Sequence, residues 1–284
     1  MEIYKELLKE KLISFLKEDI NYGDITTNLL ITDEKNIKAA VISDEFGIIA
    51  GIQEAKLLCE IMNLKYNTLL KDGAQVKRNT KIMEIIGKAK SILTVERTLI
   101  NIMMRMSGIA SITNSLVKSV KKVNPNIRIA CTRKTTPGFR YFEKRAVEIG
   151  GGDTHRYRLD DMVLIKDNHL LCIDNFTNQI KRLKKDLSFS KKIELEVKSE
   201  KEALEGATLE IDILMLDNFN PGKASQVIEK LKQKNIRDKL LIEISGDITP
   251  ENIIKYAKLD VDIISMGFIT HSTKALGMSL DIIE

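Results

Sequence analysis

Cationic side chains gather at a few fixed places in this chain. Arg133 and Lys134 end the apolar run 127–131, and Lys166 ends the run 162–165. His155 and Arg156 follow three consecutive glycines, 150–152. Arginine and lysine at such places bind carboxylates or phosphates, arginine in a two-toothed manner. Two cationic strand ends and a glycine loop bearing His and Arg therefore predict a pocket for a molecule with several negative charges. Two acids, Glu196 and Asp217, end neighbouring strand-like runs among these cations. Such a pair can bind Mg²⁺, which favours carboxylate oxygens together with substrate phosphate oxygens, or stabilise a cationic centre. It can also be no more than a salt bridge to the nearby Lys and Arg. Ser245-Gly246 and Gly267, with His271 beyond, end the last two runs, and the helix expected to open at Thr249-Pro250-Glu251 would add backbone N–H groups to a phosphate cradle. The bland readings are solvated surface for the cations and a simple helix stop for the three glycines.

The elements that must hold these groups follow from hydrophobic spacing. From residue 127 on, strand-like runs fall at 127–132, 162–166, 192–197, 212–217, 240–245 and 262–267. Helix-like segments at 139–149, 175–187, 221–235 and 249–259 fill most gaps. Repeated βα units demand a parallel sheet with right-handed crossovers. The runs are mostly apolar, as strands buried on both faces should be, although Glu194 interrupts one. Six strands are too few for an eightfold barrel, which leaves a shortened or open α/β barrel or a doubly wound sheet. Polar groups at the C-terminal ends of such strands form binding and catalytic sites.

The first part of the chain reads differently. Residues 3–17 place Tyr4, Leu7, Leu8, Leu12 and Phe15 on one helical face, and 21–27 reads as a turn-rich connector. Strands are expected at 38–44, 48–51, 64–70 and 81–87, with a helix at 54–62. A long helix over 91–106 buries Ile92, Val95, Leu99, Ile102, Met103 and Met106. This portion predicts an α+β domain.

Composition narrows the function classes. The chain has 284 residues, a net charge of +5 and both signs of charge mixed, which predicts an ordered globular protein. No Lys/Arg block interleaved with aromatics argues for nucleic acid. Cys59, Cys131 and Cys172 fit no CxxC metal or redox spacing and predict a reducing, cytoplasmic setting. No signal peptide or membrane span is expected.

Several stretches resemble the quinolinate phosphoribosyltransferase family: ERTLINIMMRMSGIA (96–110), TRKTTPGFRYFEKRAV (132–147), GGGDTHRYRLDDMVLIKDNH (150–169), IELEV (193–197), LMLDN (214–218), EISG (243–246) and DIISMGFITHS (262–272), with GDITT (23–27) in support. The resemblance implies an α/β fold, an open (incomplete) α/β barrel over 109–271 with an N-terminal α/β sandwich domain over 1–108 and a C-terminal return over 272–284. It implies transfer of phosphoribosyl from 5-phosphoribosyl-1-pyrophosphate to quinolinate, with decarboxylation to nicotinate mononucleotide. Mg²⁺ is the implied metal. A homodimer is implied as well, in which Arg97 reaches the neighbour's active site. By the same resemblance Arg97, Arg133, His155, Arg156 and Lys166 grip the quinolinate carboxylates. Lys134 and Lys166 face the phosphoribosyl pyrophosphate, Glu196 and Asp217 lie by the ribose and the metal, and Ser245, Gly246, Gly267 and His271 cradle the 5-phosphate.

Three positions depart from the family pattern. Asp247 stands where a second glycine is usual, either turned outward to cap the next helix or altering phosphate binding. Thr154 replaces an Asn, and Arg158 replaces a Gly and is expected to pair with Asp160 or Asp161. The alternatives are a pyrophosphorylase of unknown substrate from molybdate-transport operons, a lyase using Lys166 or Lys134 as a Schiff base, and a non-catalytic metabolite-binding module.

Overall fold

The computed structural model describes residues 4–283, so the predicted start of the first helix at residue 3 lies outside the described residues. The strands, in chain order, are β1 (Asn36–Ser43), β2 (Gly47–Ile48), β3 (Lys65–Thr68), β4 (Gln75–Val76), β5 (Thr80–Lys88) and β6 (Arg128–Cys131). They continue with β7 (Val163–Ile165), β8 (Ile193–Val197), β9 (Ile213–Asp217), β10 (Leu241–Ser245), β11 (Ile263–Met266) and β12 (Met278–Ile282). Among the described residues no helix is long and apolar enough to cross a membrane.

The chain divides into two compact units, one of residues 1–114, 137–151 and 273–284, the other of 115–136 and 152–272. In the first unit an antiparallel sheet runs β12-β1-β5-β3, and β2 pairs with β4. The helix Lys5–Ile20 buries Leu8, Leu12 and Leu16, whereas Tyr4 and Leu7 of the predicted face are exposed. Phe15, also of that face, packs against Phe139 and Phe142 with ring centroids 5.7 and 5.4 Å apart. The expected connector 21–27 contains a helix start instead. The Asp24 side chain accepts from the Thr27 N–H and caps a helix over Ile25–Leu30. The helix Arg140–Ile149 also belongs to this unit. There Arg145 donates to both oxygens of the fully buried Glu54, at 2.9 and 3.1 Å, and to Asp72 at 2.7 Å.

In the second unit six parallel strands lie in the order β6-β11-β10-β9-β8-β7. Each strand from β7 to β11 lies beside its chain neighbour, and the last, β11, lies beside the first, β6. That is barrel order left open between β6 and β7, whereas a doubly wound sheet reverses direction at a switch point. The helices Phe176–Asp186, Glu200–Gly206 and Pro221–Gln233 lie between strands, and the last opens on Asn220, whose side chain accepts from the Lys223 N–H. The expected helix at 249–259 shortens to Ile253–Ala257, because Asn252 Oδ1 takes the Thr249 N–H and closes a turn ahead of it.

The glycines 150–152 serve first as a helix end. Gly150 follows Arg140–Ile149, and a Cβ placed on it would sit 2.6 Å from Ala110 O and from Thr113 Cβ, with no side-chain tip free to yield. Gly150→Ala is therefore expected to destabilise the protein by about 1–3 kcal/mol, the usual range for overpacking, as a lower denaturation midpoint at unchanged slope.

Candidate active site

The residues singled out at the strand ends meet in one cavity of about 560 Å³ in the second unit. Arg133 and Lys134 follow β6, His155 and Arg156 come from the loop after the glycines, and Lys166 follows β7. Glu196, Asp217 and Ser245 line the cavity from the C-terminal ends of β8, β9 and β10, with Gly246, Gly267 and His271 beyond them. Arg97 is not among the lining residues. It lies on the helix Ala89–Lys121 in the first unit, with its side chain 62% exposed.

The cavity concentrates positive charge. Arg156 is 9% exposed, and burial together with the neighbouring Arg133 guanidinium lowers its pKa. Arg133 Nε is buried and has no hydrogen-bond partner among the described residues. A buried guanidinium N–H without a partner, next to a second guanidinium, is a preformed request for an anion. On the opposite side Lys166 Nζ pairs with the carboxylate of Glu196, so the simple salt bridge foreseen for Glu196 does form. Asp217 accepts from Asn218 Nδ2 at 2.9 Å.

Beneath this rim the floor is acidic. Side chains alternate across a strand, so Glu194 shares the inward face of β8 with Glu196, and Glu243 shares that of β10 with Ser245. Both Glu194 and Glu243 are fully buried. His155, held at φ +52°, drops between them, its Nε2 at 3.2 Å from Glu243 and 3.3 Å from Glu194. Its Nδ1 accepts the Arg156 backbone N–H at 2.8 Å. Burial works against charge on the imidazole, but hydrogen bonds and charge from Glu194 and Glu243 prevail and push its pKa up to about 10. The N–H aimed at Nδ1 opposes a second ring proton there, so the ring's own proton sits on Nε2. The cluster of His155, Glu194 and Glu243 therefore holds its extra proton against rising pH. Burial also raises the Glu194 carboxyl.

Close approach explains the two glycines at the far wall. Gly246 sits at φ +87°, and a Cβ there would lie 2.5 Å from the Asn218 side chain. At Gly267 a Cβ would lie 2.8 Å from Lys134 Cδ and 2.9 Å from His271 Nε2, so its bareness lets both side chains fold over the loop. No helix opens at Thr249, contrary to the expected cradle; Gly246 and Asp247 instead form a left-handed turn with φ +87° and +48°. Asp247 is exposed, and its carbonyl, not its carboxylate, takes the Asn252 amide. Arg158 pairs with Asp160 at 3.1 Å, as expected, while Asp161 accepts the backbone N–H of Tyr157 and of Arg158. The Thr154 carbonyl lies 3.4 Å from Cys131 Sγ. Glu194, Glu243 and Ser265 are not anticipated as site residues, although the i, i+2 spacing of Glu194–Glu196 and Glu243–Ser245 carries the signal.

Fold and site together define an open-barrel α/β protein with a cation-rimmed cavity at the C-terminal ends of its strands. The sequence profile "Quinolinate phosphoribosyl transferase, C-terminal domain" matches residues 109–281, and that of the N-terminal domain matches 24–107. A probable nicotinate-nucleotide pyrophosphorylase [carboxylating] of Methanocaldococcus jannaschii is 45% identical, with 98% of this chain and 99% of that one covered. A protein of the same description from Methanothermobacter thermautotrophicus is 41% identical over 99% and 98%. NadC from Streptococcus pyogenes superposes with a TM-score of 0.90 at 32% identity, each chain covered in full. The chain belongs to the quinolinate phosphoribosyltransferase family.

The His155 cluster makes stability depend on pH. A basic group whose folded pKa, about 10, exceeds its ordinary 6.5 stabilises fully below 6.5, and that stability is lost as pH rises through 10. The difference in unfolding free energy between the wild type and His155→Gln should therefore be largest near pH 6 and shrink toward pH 10 in denaturant titrations.

Proposed function

We propose that this cavity transfers phosphoribosyl from 5-phosphoribosyl-1-pyrophosphate to quinolinate, releasing pyrophosphate and CO₂ and giving nicotinate mononucleotide for de novo NAD synthesis. The observation that carries the reading is the adjacent pair Arg133 and Arg156, with Arg133 Nε buried and unpartnered among the described residues. A dianionic pyridine fits that pair, because each carboxylate relieves a repulsion that the free site must bear.

In this reading Arg133, Arg156 and Lys166 hold the quinolinate carboxylates. His155, engaged at both ring nitrogens, sets the place of Arg156. Lys134 and Lys166 face the pyrophosphate, and Ser245, Gly246, Gly267 and His271 receive the 5-phosphate. Breaking the ribose C1–oxygen bond leaves an oxocarbenium-like centre, which Glu196 and Asp217 stabilise from the strand ends. The pyridine nitrogen, fixed by its ring's carboxylates, attacks that carbon; the gain is one of position. The nitrogen becomes formally cationic, the C2–carboxylate bond breaks with its electron pair left at C2 beside that nitrogen, CO₂ leaves, and C2 takes up a proton from solvent, without an organic cofactor. Glu196 and Asp217 offer only oxygen donors, which suits Mg²⁺, and these two residues would hold it together with substrate oxygens and water. Bound there, Mg²⁺ would neutralise pyrophosphate charge as the bond breaks.

The relatives' names favour this reading over a pyrophosphorylase of unknown substrate. A Schiff-base lyase is disfavoured because Lys166 is engaged by the Glu196 carboxylate and not alone in an apolar pocket. We also infer a cytoplasmic homodimer in which Arg97 enters the neighbour's cavity. Exposed Tyr22, Ile25, Leu29 and Leu30 on the first unit support a partner surface.

The purified protein is expected to turn quinolinate and the activated ribose into CO₂ and the mononucleotide in Mg²⁺, and to stop when a chelator is added. Failure to form either product from the wild type would end the reading. Lys134→Ala is expected to lower turnover by at least about a hundredfold while leaving the melting temperature and oligomeric state unchanged. Undiminished turnover would remove Lys134 from the mechanism.

A further inference from the structure

Glu243 lies at the bottom of the cavity, fully buried, with a different arm on each oxygen. Its Oε2 meets His155 Nε2 at 3.2 Å, and the other ring nitrogen holds the Arg156 N–H at 2.8 Å. Its Oε1 accepts from Ser265 Oγ at 2.5 Å, and Ser265 Oγ lies 2.9 Å from Ser245 Oγ. Ser265 has one hydroxyl proton. Its hydroxyl is the donor in both contacts, so that proton is shared between Glu243 Oε1 and Ser245 Oγ. A carboxylate accepts and never donates, so Glu243 takes one hydrogen bond from each arm. At the one end it requires the imidazole proton on Nε2, which leaves Nδ1 free to accept from Arg156. At the other it holds Ser265, whose hydroxyl donates to Ser245 Oγ and leaves the Ser245 proton free for a phosphate oxygen in the cavity.

A metal in place of this network is excluded by the same geometry. His155, Glu194 and Glu243 present ligand atoms within 4.8 Å of one another. A cation on Nε2, however, leaves the ring proton on Nδ1, where the Arg156 N–H already points.

We propose that Glu243 is a positioning residue of this site: one buried carboxylate aligns both the arm that carries Arg156 and the arm that carries Ser245. The inference rests on the reading above, in which Arg156 serves the pyridine carboxylates and Ser245 the 5-phosphate. It assigns a task to Glu243 and Ser265 that neither substrate contact nor metal binding supplies.

The test uses isosteric and truncating variants of the full chain. Gln at 243 has one oxygen and one NH₂, so it can accept for one arm and never for both. Glu243→Gln is expected to raise the KM of at least one substrate about tenfold, with kcat changed by less than about threefold. Ser265→Ala cuts only the phosphate arm. It is expected to raise the KM for phosphoribosyl pyrophosphate about fivefold and to leave that for quinolinate within about twofold. With three histidines in the chain, ring-¹⁵N spectra are readable, and wild-type His155 is expected to show an unprotonated Nδ1 at neutral pH. If Glu243→Gln keeps that signature, the phosphate arm is the one lost, and its KM alone should rise. The inference is overturned if Glu243→Gln moves neither KM, if Ser265→Ala moves both alike, or if wild-type Nδ1 carries a proton. Should Glu243→Gln fail to fold, Ser265→Ala and the wild-type spectrum decide. A wild type that turns over quinolinate while the variants show no such split sinks only this inference; a wild type inactive on quinolinate sinks the reading beneath it.

Discussion

Holding like charges together in a partly buried place is the constraint on which the second unit depends. Arg133 and Arg156 stand side by side, and burial takes away the water that would otherwise screen them. Such a pair persists only with counter-charge, and the barrel supplies it from beneath. Glu194, Asp161 and Glu196 each act on Arg156 in the direction that keeps it charged. Strand β8 puts Glu194 and Glu196 there because every second residue of a parallel strand faces the interior, and Asp161 comes from the loop before β7. The polar interior of β8 and β10 is thus the complement of the cationic rim.

The outline of this fold is legible because strands buried on both faces must be short, apolar and bounded by turns. The predicted runs match β6 to β11 to within a residue or two at each end. The weakest forecasts are those decided by tertiary contact. The long helix does not stop near Met106 but runs through Ser107-Gly108 to Lys121. Glycine is favoured there because the Lys274 carbonyl oxygen would lie only 2.1 Å from a Cβ on Gly108. Ser107 and Ser111 likewise spend their hydroxyls as acceptors for the backbone N–H groups of Ala50 and Ile48. No local pattern announces either contact. The helix capped by Asp24 is missed for a related reason: Asp-Ile-Thr-Thr reads as a turn until the Asp24 carboxylate is seen to hold the Thr27 N–H.

The candidate site divides along the same line. Its rim is legible, since a cation or acid ending an apolar run is visible in the residues alone. Its floor is not, because Glu194 and Glu243 look like flaws in otherwise hydrophobic strands. Their meaning appears only when His155 is found between them, and that requires a left-handed residue in a loop, which the Asp153 side chain holds by accepting the His155 N–H at 2.8 Å. The glycines mislead in a smaller way. Gly150 marks a tightly packed helix end, while the cavity owes more to Gly246 and Gly267, each bare because another side chain fills the place of its Cβ.

An acidic floor beneath a cationic rim also bears on turnover. Cations alone would hold any carboxylate, substrate or product, and a site that grips both equally gains nothing in rate. Here the guanidinium pair is partly neutralised from below, so a ligand is rewarded mainly for relieving the repulsion that remains. On the proposed reaction, quinolinate brings two carboxylates to that pair. Its product brings one, on a ring whose nitrogen has become cationic. Loss of CO₂ therefore restores the repulsion between Arg133 and Arg156 and sets a positive ring against a positive rim. The chemistry that completes the reaction also weakens the hold on what it has made, and the buried glutamates set how strong that hold is at the start.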